Sequence, residues 1–229
     1  MKKSLLGVLA VSVFSIHAYA EVSQVLSAGL GTATYEYTEI DSFNYNVLDL
    51  GYSIGWESIY ISTNAMLSIS EGSGSLEFDP EYPPADVTFK RSQYSVNLGY
   101  RFENAIALFT GINYADSQMD IAYYGEPYDI EITEVGIHVG VAGTVYAWEN
   151  IGAITAKAAV SASTMDVAVP DPDVENVNES GYGYLFGLGW SGVFTDDLGY
   201  YLNFDGYAYS YEETDSSFSI FRAGVNYMF

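Results

Sequence analysis

The 229-residue sequence contains no cysteine, and its seven lysines and arginines are far outnumbered by 30 aspartates and glutamates. The absence of cysteine excludes a domain held together by disulfides. The formal net charge of −23 argues against nucleic-acid binding, because a phosphate backbone would be repelled. The composition therefore indicates an acidic protein without disulfide bonds.

Long hydrophobic runs are also missing. The longest apolar stretch, residues 5–16, is shorter than the ~20 residues that a membrane-spanning helix needs. It follows Lys2 and Lys3 and precedes Ala18-Tyr19-Ala20, the arrangement of an export signal with its cleavage site. We predict a signal peptide over 1–20, cleaved after Ala20, and a mature domain over 21–229. The signal peptide removes two cations and no acid, so the mature net charge is −25.

Aromatic residues are abundant, with 22 tyrosines, 12 phenylalanines and 3 tryptophans. Disordered chains are poor in aromatics, so the acidity does not indicate disorder. From Val25 onward the sequence alternates with a period of two, which is typical of strands with one apolar and one polar face. The pattern is clearest in residues 94–102, 135–145, 182–190, 200–208 and 221–229.

Short polar turns and longer polar segments alternate along the chain. Four turns begin at Trp56, Phe102, Trp148 and Phe194, each 46 residues after the last. The longer segments, predicted to be loops, are 38–44, 71–87, 116–130, 164–180 and 212–217. An open sheet edge is not tolerated in lipid, so the pattern predicts an all-β fold, a closed antiparallel up-and-down transmembrane β-barrel of ten strands. Eight strands are the alternative if the hairpin at 45–70, where alternation is weakest, is misread.

The chain ends in Val225-Asn226-Tyr227-Met228-Phe229 on an alternating strand. Together with the signal peptide and the Gly- and Tyr-rich strands, this end resembles small outer-membrane β-barrel proteins of Gram-negative bacteria, of the OmpA/OmpX-like, porin-superfamily kind. The resemblance implies insertion in the outer membrane, in contact with lipid and lipopolysaccharide. It also implies that the barrel-assembly machinery reads the C-terminal strand ending in Phe229.

Strand parity places eight titratable side chains in the barrel lumen. They are Asp49, Arg91, Arg101, Glu134, His138, Lys157, Asp205 and Arg222. Charges in a narrow lumen must pair to offset their desolvation. We expect a salt-bridged plug that fixes strand register, and the alternative is a narrow ion or proton path. His138 is the one histidine of the mature chain, and its mid-strand position favours a lumen histidine over a catalytic base.

Aromatic side chains are expected to form a girdle at each membrane interface. The turn-side girdle is predicted to contain Trp56, Phe102, Trp148, Phe194 and Phe229. The loop-side girdle is predicted to contain Tyr37, Tyr45, Tyr94, Tyr114, Tyr182 and Phe218.

The five predicted loops and the residues next to them carry 21 of the 30 acids. Divalent cations are natural bridges between such carboxylates and anionic lipopolysaccharide. The densest cluster, Asp171, Asp173 and Glu175, is a weak metal candidate because it lacks the glycine and the closing glutamate of a calcium loop. A solvated acidic loop is the favoured interpretation, and no metal or cofactor is expected.

The pattern favours a non-enzymatic outer-membrane barrel with a structural or surface-interaction role, because variety and charge lie in the loops. A narrow, cation-preferring channel for small solutes or ions is the first alternative. An outer-membrane hydrolase is the weaker one, since no nucleophile–base pattern is evident.

Overall fold

The computed structural model describes residues 22–37, 40–76, 84–102, 105–123, 126–146, 152–169, 176–212 and 214–229. Its strands, in chain order, are β1 Ser23–Tyr37, β2 Ile40–Trp56, β3 Ile59–Ser68, β4 Gly72–Leu76, β5 Ala85–Arg101, β6 Ile106–Tyr123, β7 Glu126–Tyr146, β8 Ala153–Ala168, β9 Val177–Val193, β10 Leu198–Ser210 and β11 Asp215–Met228. Among these residues, no helix has the length and hydropathy required to cross a bilayer.

The strands form a closed antiparallel barrel. Consecutive strands are paired except β3 and β4, and β1 closes the barrel on β11 from Val25 opposite Met228 to Tyr37 opposite Ser216. Because β3 and β4 both pair with β5, they share one position in the wall. The barrel therefore has ten strand positions, which confirms the ten-strand prediction over eight. The hairpin of β2 and β3 exists, and its weak alternation has a structural cause given below.

The barrel has two different ends. At one, here called the turn end, the two-residue turn Glu57–Ser58 joins β2 to β3, and residues 194–197 join β9 to β10. At the other, the loop end, the strands continue well into segments predicted to be loops. For example, β6 and β7 run to Tyr123 and from Glu126, so most of the predicted 116–130 loop is strand. For this segment the prediction of a long loop was wrong, because its polar residues still alternate with apolar ones.

On most strands the apolar face changes sides partway along the barrel. On β5, Tyr94 and Leu98 face outward, whereas Phe89 and Val87 nearer the loop end are buried inside. The same reversal occurs on β1, β2, β6, β7 and β11. On β2 it falls inside the 45–70 segment, which explains the weak alternation there. The last outward apolar residues before the change are Leu30, Leu48, Tyr94, Tyr114, Val135, Tyr182 and Phe221.

This reversal divides the barrel into two halves. The membrane half, between the turn end and those residues, is apolar outside and polar inside, as a lipid-facing barrel requires. From Tyr94 to Phe102 it spans nine residues, enough for a tilted strand to cross hydrocarbon. The upper half, between the same residues and the loop end, is polar outside and apolar inside, like a water-soluble barrel.

The upper half is filled by an aromatic core. Phe89 lies at its centre, with ring centroids 4.8 Å from Tyr35, 4.9 Å from Phe43 and 5.6 Å from Tyr45. Other buried members include Val47, Val87, Met119, Ile121, Ile132, Met165, Tyr207, Tyr209, Tyr211, Phe218 and Ile220. The aromatic core occupies the lumen above the membrane half.

Candidate functional site

Four of the predicted lumen charges meet in one buried chain of ion pairs in the membrane half. Lys157 Nζ on β8 lies 2.9 Å from Asp205 Oδ1 on β10. Arg222 Nη2 on β11 pairs with Asp205, and its Nη1 lies 2.9 Å from Asp49 Oδ2 on β2. All four side chains are fully buried. The two positive and two negative charges cancel. This pairing offsets the cost of removing the four groups from water.

Neutral donors complete the coordination of Asp49. Asn64 Nδ2 donates to Asp49 Oδ1 over 2.6 Å, and the Tyr201 hydroxyl donates to Oδ2 over 3.1 Å. The ion-pair chain therefore ties together β2, β3, β8, β10 and β11 across the lumen. Because β2 and β3 are far in sequence from β8, β10 and β11, the network fixes how these two groups of strands face one another inside the closed barrel.

Two glycines on β1 make room for these contacts. A Cβ on Gly31 would come within 2.6 Å of Arg222 Cγ, and a Cβ on Gly29 within 2.3 Å of the Tyr201 hydroxyl. Strand β1 lies between β11 and β2, so Arg222 reaches Asp49 across a bare stretch of backbone. Sequence analysis missed both glycines, whose only signal was inward parity beside a predicted charge.

A second buried ion pair lies between the two halves. Arg91 Nη2 on β5 pairs with Glu134 on β7, and Arg91 Nη1 donates to Ser117 over 2.9 Å. The guanidinium carbon lies 4.9 Å from the centroid of Tyr35 and 5.5 Å from that of Phe218. These distances allow cation–π attraction in addition to the ion pair. Arg91 thus connects the polar lumen to the aromatic core.

His138 is buried in the lumen and forms no part of either ion pair. Its Nε2 lies 2.8 Å from Asn97 Oδ1, and its ring meets the edge of Phe109 at a centroid distance of 5.8 Å. Its position inside the lumen agrees with the direction predicted from strand parity. These surroundings are those of a hydrogen-bonded structural histidine.

Arg101 does not join the lumen network. It lies at the turn end, half-buried, where its Nη2 donates to the backbone oxygen of Glu57 over 2.9 Å. Its expected lumen partnership was wrong because parity gives the face of a side chain and not its depth in the barrel.

Part of each predicted girdle has the exposure that a girdle requires. On the turn side, Trp56, Phe102, Phe194 and Phe229 are exposed, and Trp148 lies outside the described residues. On the loop side, the exposed members are Tyr94, Tyr114 and Tyr182. The assignment was wrong for Tyr45 and Phe218, which are buried in the aromatic core, and for Tyr37, which packs against it. The reversal of the apolar face turns these three inward.

The outer surface of the upper half forms a polar collar with two chemically different sides. The acidic side, on β5 to β8, contains the outward-facing Asp86, Asp116, Asp120, Asp129, Glu131 and Asp166. The hydroxyl side, on β10, β11, β1 and β2, contains the outward-facing Ser210, Ser217, Ser219, Thr32, Thr34, Asn46, Asn44 and Ser42. Several acids assigned to loops are thus fixed on strands.

Among the described residues, no group of three Asp, Glu or His side chains is placed to hold a metal ion. The weak candidates Asp171, Asp173 and Glu175 lie outside the described residues.

Comparison with solved structures identifies the fold. The outer membrane protease OmpT of Escherichia coli superposes with a TM-score of 0.66 at 11% identity, over 91% of this chain and 96% of that one. The chain has an outer-membrane β-barrel fold. The translocator domain of the autotransporter NalP of Neisseria meningitidis gives 0.53 at 12% identity, over 98% and 95%. The β domain of the Bordetella autotransporter BrkA gives 0.50 at 10% identity, over 90% and 99%.

These identities are low enough that the likeness extends to the fold alone. No protein-family model and no curated protein sequence matches the chain. The neighbours also differ in role, since one is a protease and two are autotransporter domains. Membership of the narrower OmpA/OmpX-like group stays a prediction.

Proposed function

We propose that the mature chain is a non-enzymatic barrel in the outer membrane of a Gram-negative bacterium. Its upper half stands above the bilayer as a rigid platform for contact with other surface molecules. The observation that carries the proposal is the reversal of the apolar face, which builds a water-soluble barrel directly on a lipid-facing one.

The proposed location is supported by three features. The predicted signal peptide exports the chain, and the outward apolar band of the membrane half suits lipid. Phe229 is exposed beside the turn end, where the barrel-assembly machinery would read it. The outer leaflet then places lipopolysaccharide around the collar, with divalent cations as counter-ions for its acidic side. Asp120 lies directly opposite Asp129, and like charges in that position repel.

A non-enzymatic role is supported by the surroundings of His138. A general base must reach its substrate, and this histidine is 4% exposed and paired with an amide oxygen. The first alternative, a narrow channel, is favoured by the polar lumen of the membrane half. The aromatic core above that lumen favours a closed barrel instead.

Single-channel recording separates a platform from a channel. We expect the refolded mature protein to be silent in a planar bilayer, because the side chains of the aromatic core pack together inside the upper half. An Arg222→Ala variant should also be silent, because the aromatic core, which we expect to close the barrel, lies above the lumen charges. Steady cation-selective conductance of the wild type would instead establish the channel alternative. Conductance of only the variant would mean that the ion-pair network is the seal.

The orientation of the barrel can be tested on intact cells. An epitope inserted between β6 and β7, at residues 124–125, should be labelled from outside, because the upper half projects from the surface. The same epitope in the Glu57–Ser58 turn should be labelled only after permeabilisation. The reverse pattern would place the upper half in the periplasm and overturn the surface role.

A further inference from the structure

A groove of about 590 Å³ lies on the outer wall of the membrane half, along β3. Its floor contains the small outward residues Thr63 and Ala65 of β3. The ridges on its two sides are larger outward residues of the neighbouring strands β2 and β5, namely Leu50, Tyr52, Tyr94 and Val96. The groove is therefore a furrow one strand wide in the lipid-facing surface.

The groove occupies only the loop-side part of the membrane half. Its floor and one ridge lie at two levels of the wall, with Ala65 opposite Tyr94 and Thr63 opposite Val96. The level of Tyr94 is the last apolar one before the wall becomes polar, and residues 98–102 continue from Val96 to the turn end. In the orientation proposed above, the groove therefore opens into the outer leaflet of the membrane.

Both ridges are held in place by contacts of their own. The Tyr52 hydroxyl donates to Gln24 Oε1 over 2.6 Å. The centroid of the Tyr94 ring lies 6.3 Å from that of Tyr114, which extends the same side of the groove onto β6. A ligand that enters meets a preformed surface, so little side-chain order has to be gained on binding.

The width of the groove suits a single hydrocarbon chain. Its ridges stand on the two strands that flank β3, so they are roughly 10 Å apart. A chain between them has the ~4 Å on each side at which carbon atoms attract one another best. The wall of a second barrel is broad and convex, so it would rest on the ridges without reaching Thr63 and Ala65.

The surroundings of the groove are also those of a hydrocarbon chain. None of the described residues that line it is charged, and its ridges continue the outward apolar band that faces lipid. The hydrophobic effect does not favour one apolar surface over another inside a bilayer, so van der Waals packing decides what stays bound. A chain in the furrow is contacted on three sides, whereas a chain on the rest of the wall is contacted on one.

We propose that this groove holds one acyl chain of a lipopolysaccharide molecule in the outer leaflet. The proposal rests on the proposed function, because the outward orientation of the upper half is what assigns the groove to that leaflet. The two fail separately. Epitope labelling reports the orientation whether or not a chain is bound, and lipid retention is measured on barrels whose labelling is already known.

The test uses the full chain, exported by a Gram-negative host and extracted from its outer membrane in a mild detergent. Native mass spectrometry then identifies and counts the lipids that stay bound. An EDTA wash removes lipopolysaccharide that is held only by divalent cations, for example at Asp116 above the groove. We expect lipopolysaccharide to stay bound through this wash, because the contact of the acyl chain with the groove needs no cation.

Two double variants locate the site. Thr63→Leu with Ala65→Leu fills the floor and should lower the retained lipopolysaccharide about fivefold or more. Ala156→Leu with Ala158→Leu makes the same change at two small outward residues of β8, which do not line the groove, and should retain as much as wild type. Heat-modifiable mobility on gels confirms that each variant is folded.

Four results would overturn the proposal. They are retention of phospholipid in place of lipopolysaccharide, loss of the lipopolysaccharide in the EDTA wash, unchanged retention when the floor is filled, and equal loss in the β8 variant. The first would assign the groove to another lipid, and the second would assign retention to the carboxylates of the collar. The last two would show that the bound lipid does not occupy this groove.

Discussion

Replacing Arg222 with alanine is expected to lower the free energy of unfolding by about 3–5 kcal/mol. The guanidinium bridges Asp49 and Asp205, and both carboxylates are fully buried. Without it, Asp49 keeps the neutral donors Asn64 and Tyr201, and one lysine, Lys157, faces the two carboxylates. One buried negative charge is then uncompensated. Urea unfolding in phospholipid vesicles, followed by tryptophan fluorescence, measures the loss.

Arg101 provides the matched control, since it is also an inward arginine. It is half-buried at the turn end and bonds a backbone oxygen of Glu57, so Arg101→Ala should cost less than about 1 kcal/mol. A loss of similar size in both variants would contradict the difference in depth. A small loss in Arg222→Ala would show that water reaches the network and compensates the freed carboxylate.

Replacing Phe89 with alanine is expected to cost about 3–5 kcal/mol of stability and to make the barrel conduct. Its ring is fully buried and stacks on both Tyr35 and Phe43 at the centre of the aromatic core. Deleting it leaves a cavity in the aromatic core, which we propose closes the lumen. The same urea titration and bilayer recording measure the two effects, and Phe89→Leu should recover most of the stability and the silence.

Phe204→Ala is the control for this variant. Phe204 faces outward in the membrane half, where lipid chains can replace the contacts of the lost ring, so the cost should be below about 1 kcal/mol. We expect no conductance from it. If Phe89→Ala stayed as stable and silent as Phe204→Ala, the aromatic core would not be the seal.

The alternation of the strands was enough to predict the closed barrel, because lipid excludes open edges. Four short turns alternating with five longer polar segments were enough to predict ten strands. The loops were overestimated for a physical reason. Asp116 and Asp120 look like loop residues in a membrane barrel, yet they alternate with the buried Ser117 and Met119. A pattern search that assumes one phase along the whole strand discards this second alternation.

The lumen network could be predicted only in part. Strand parity predicted that both Arg222 and Arg101 point into the lumen. It could not predict their partners, which depend on the position of each side chain along the barrel axis and on strands distant in sequence. The room that Gly29 and Gly31 leave for Arg222 is visible only once β1 lies between β11 and β2.

The reversal of the apolar face also fixes the depth at which the protein floats. Sliding outward would expose Tyr94 and Phe221 to water, and sinking inward would press Lys90 and Ser219 into hydrocarbon. A slip of one residue between strands would be worse, because it would turn both halves inside out together. The barrel therefore has a single favoured insertion depth, because every strand that carries the reversal aligns the same level of the wall with the bilayer surface.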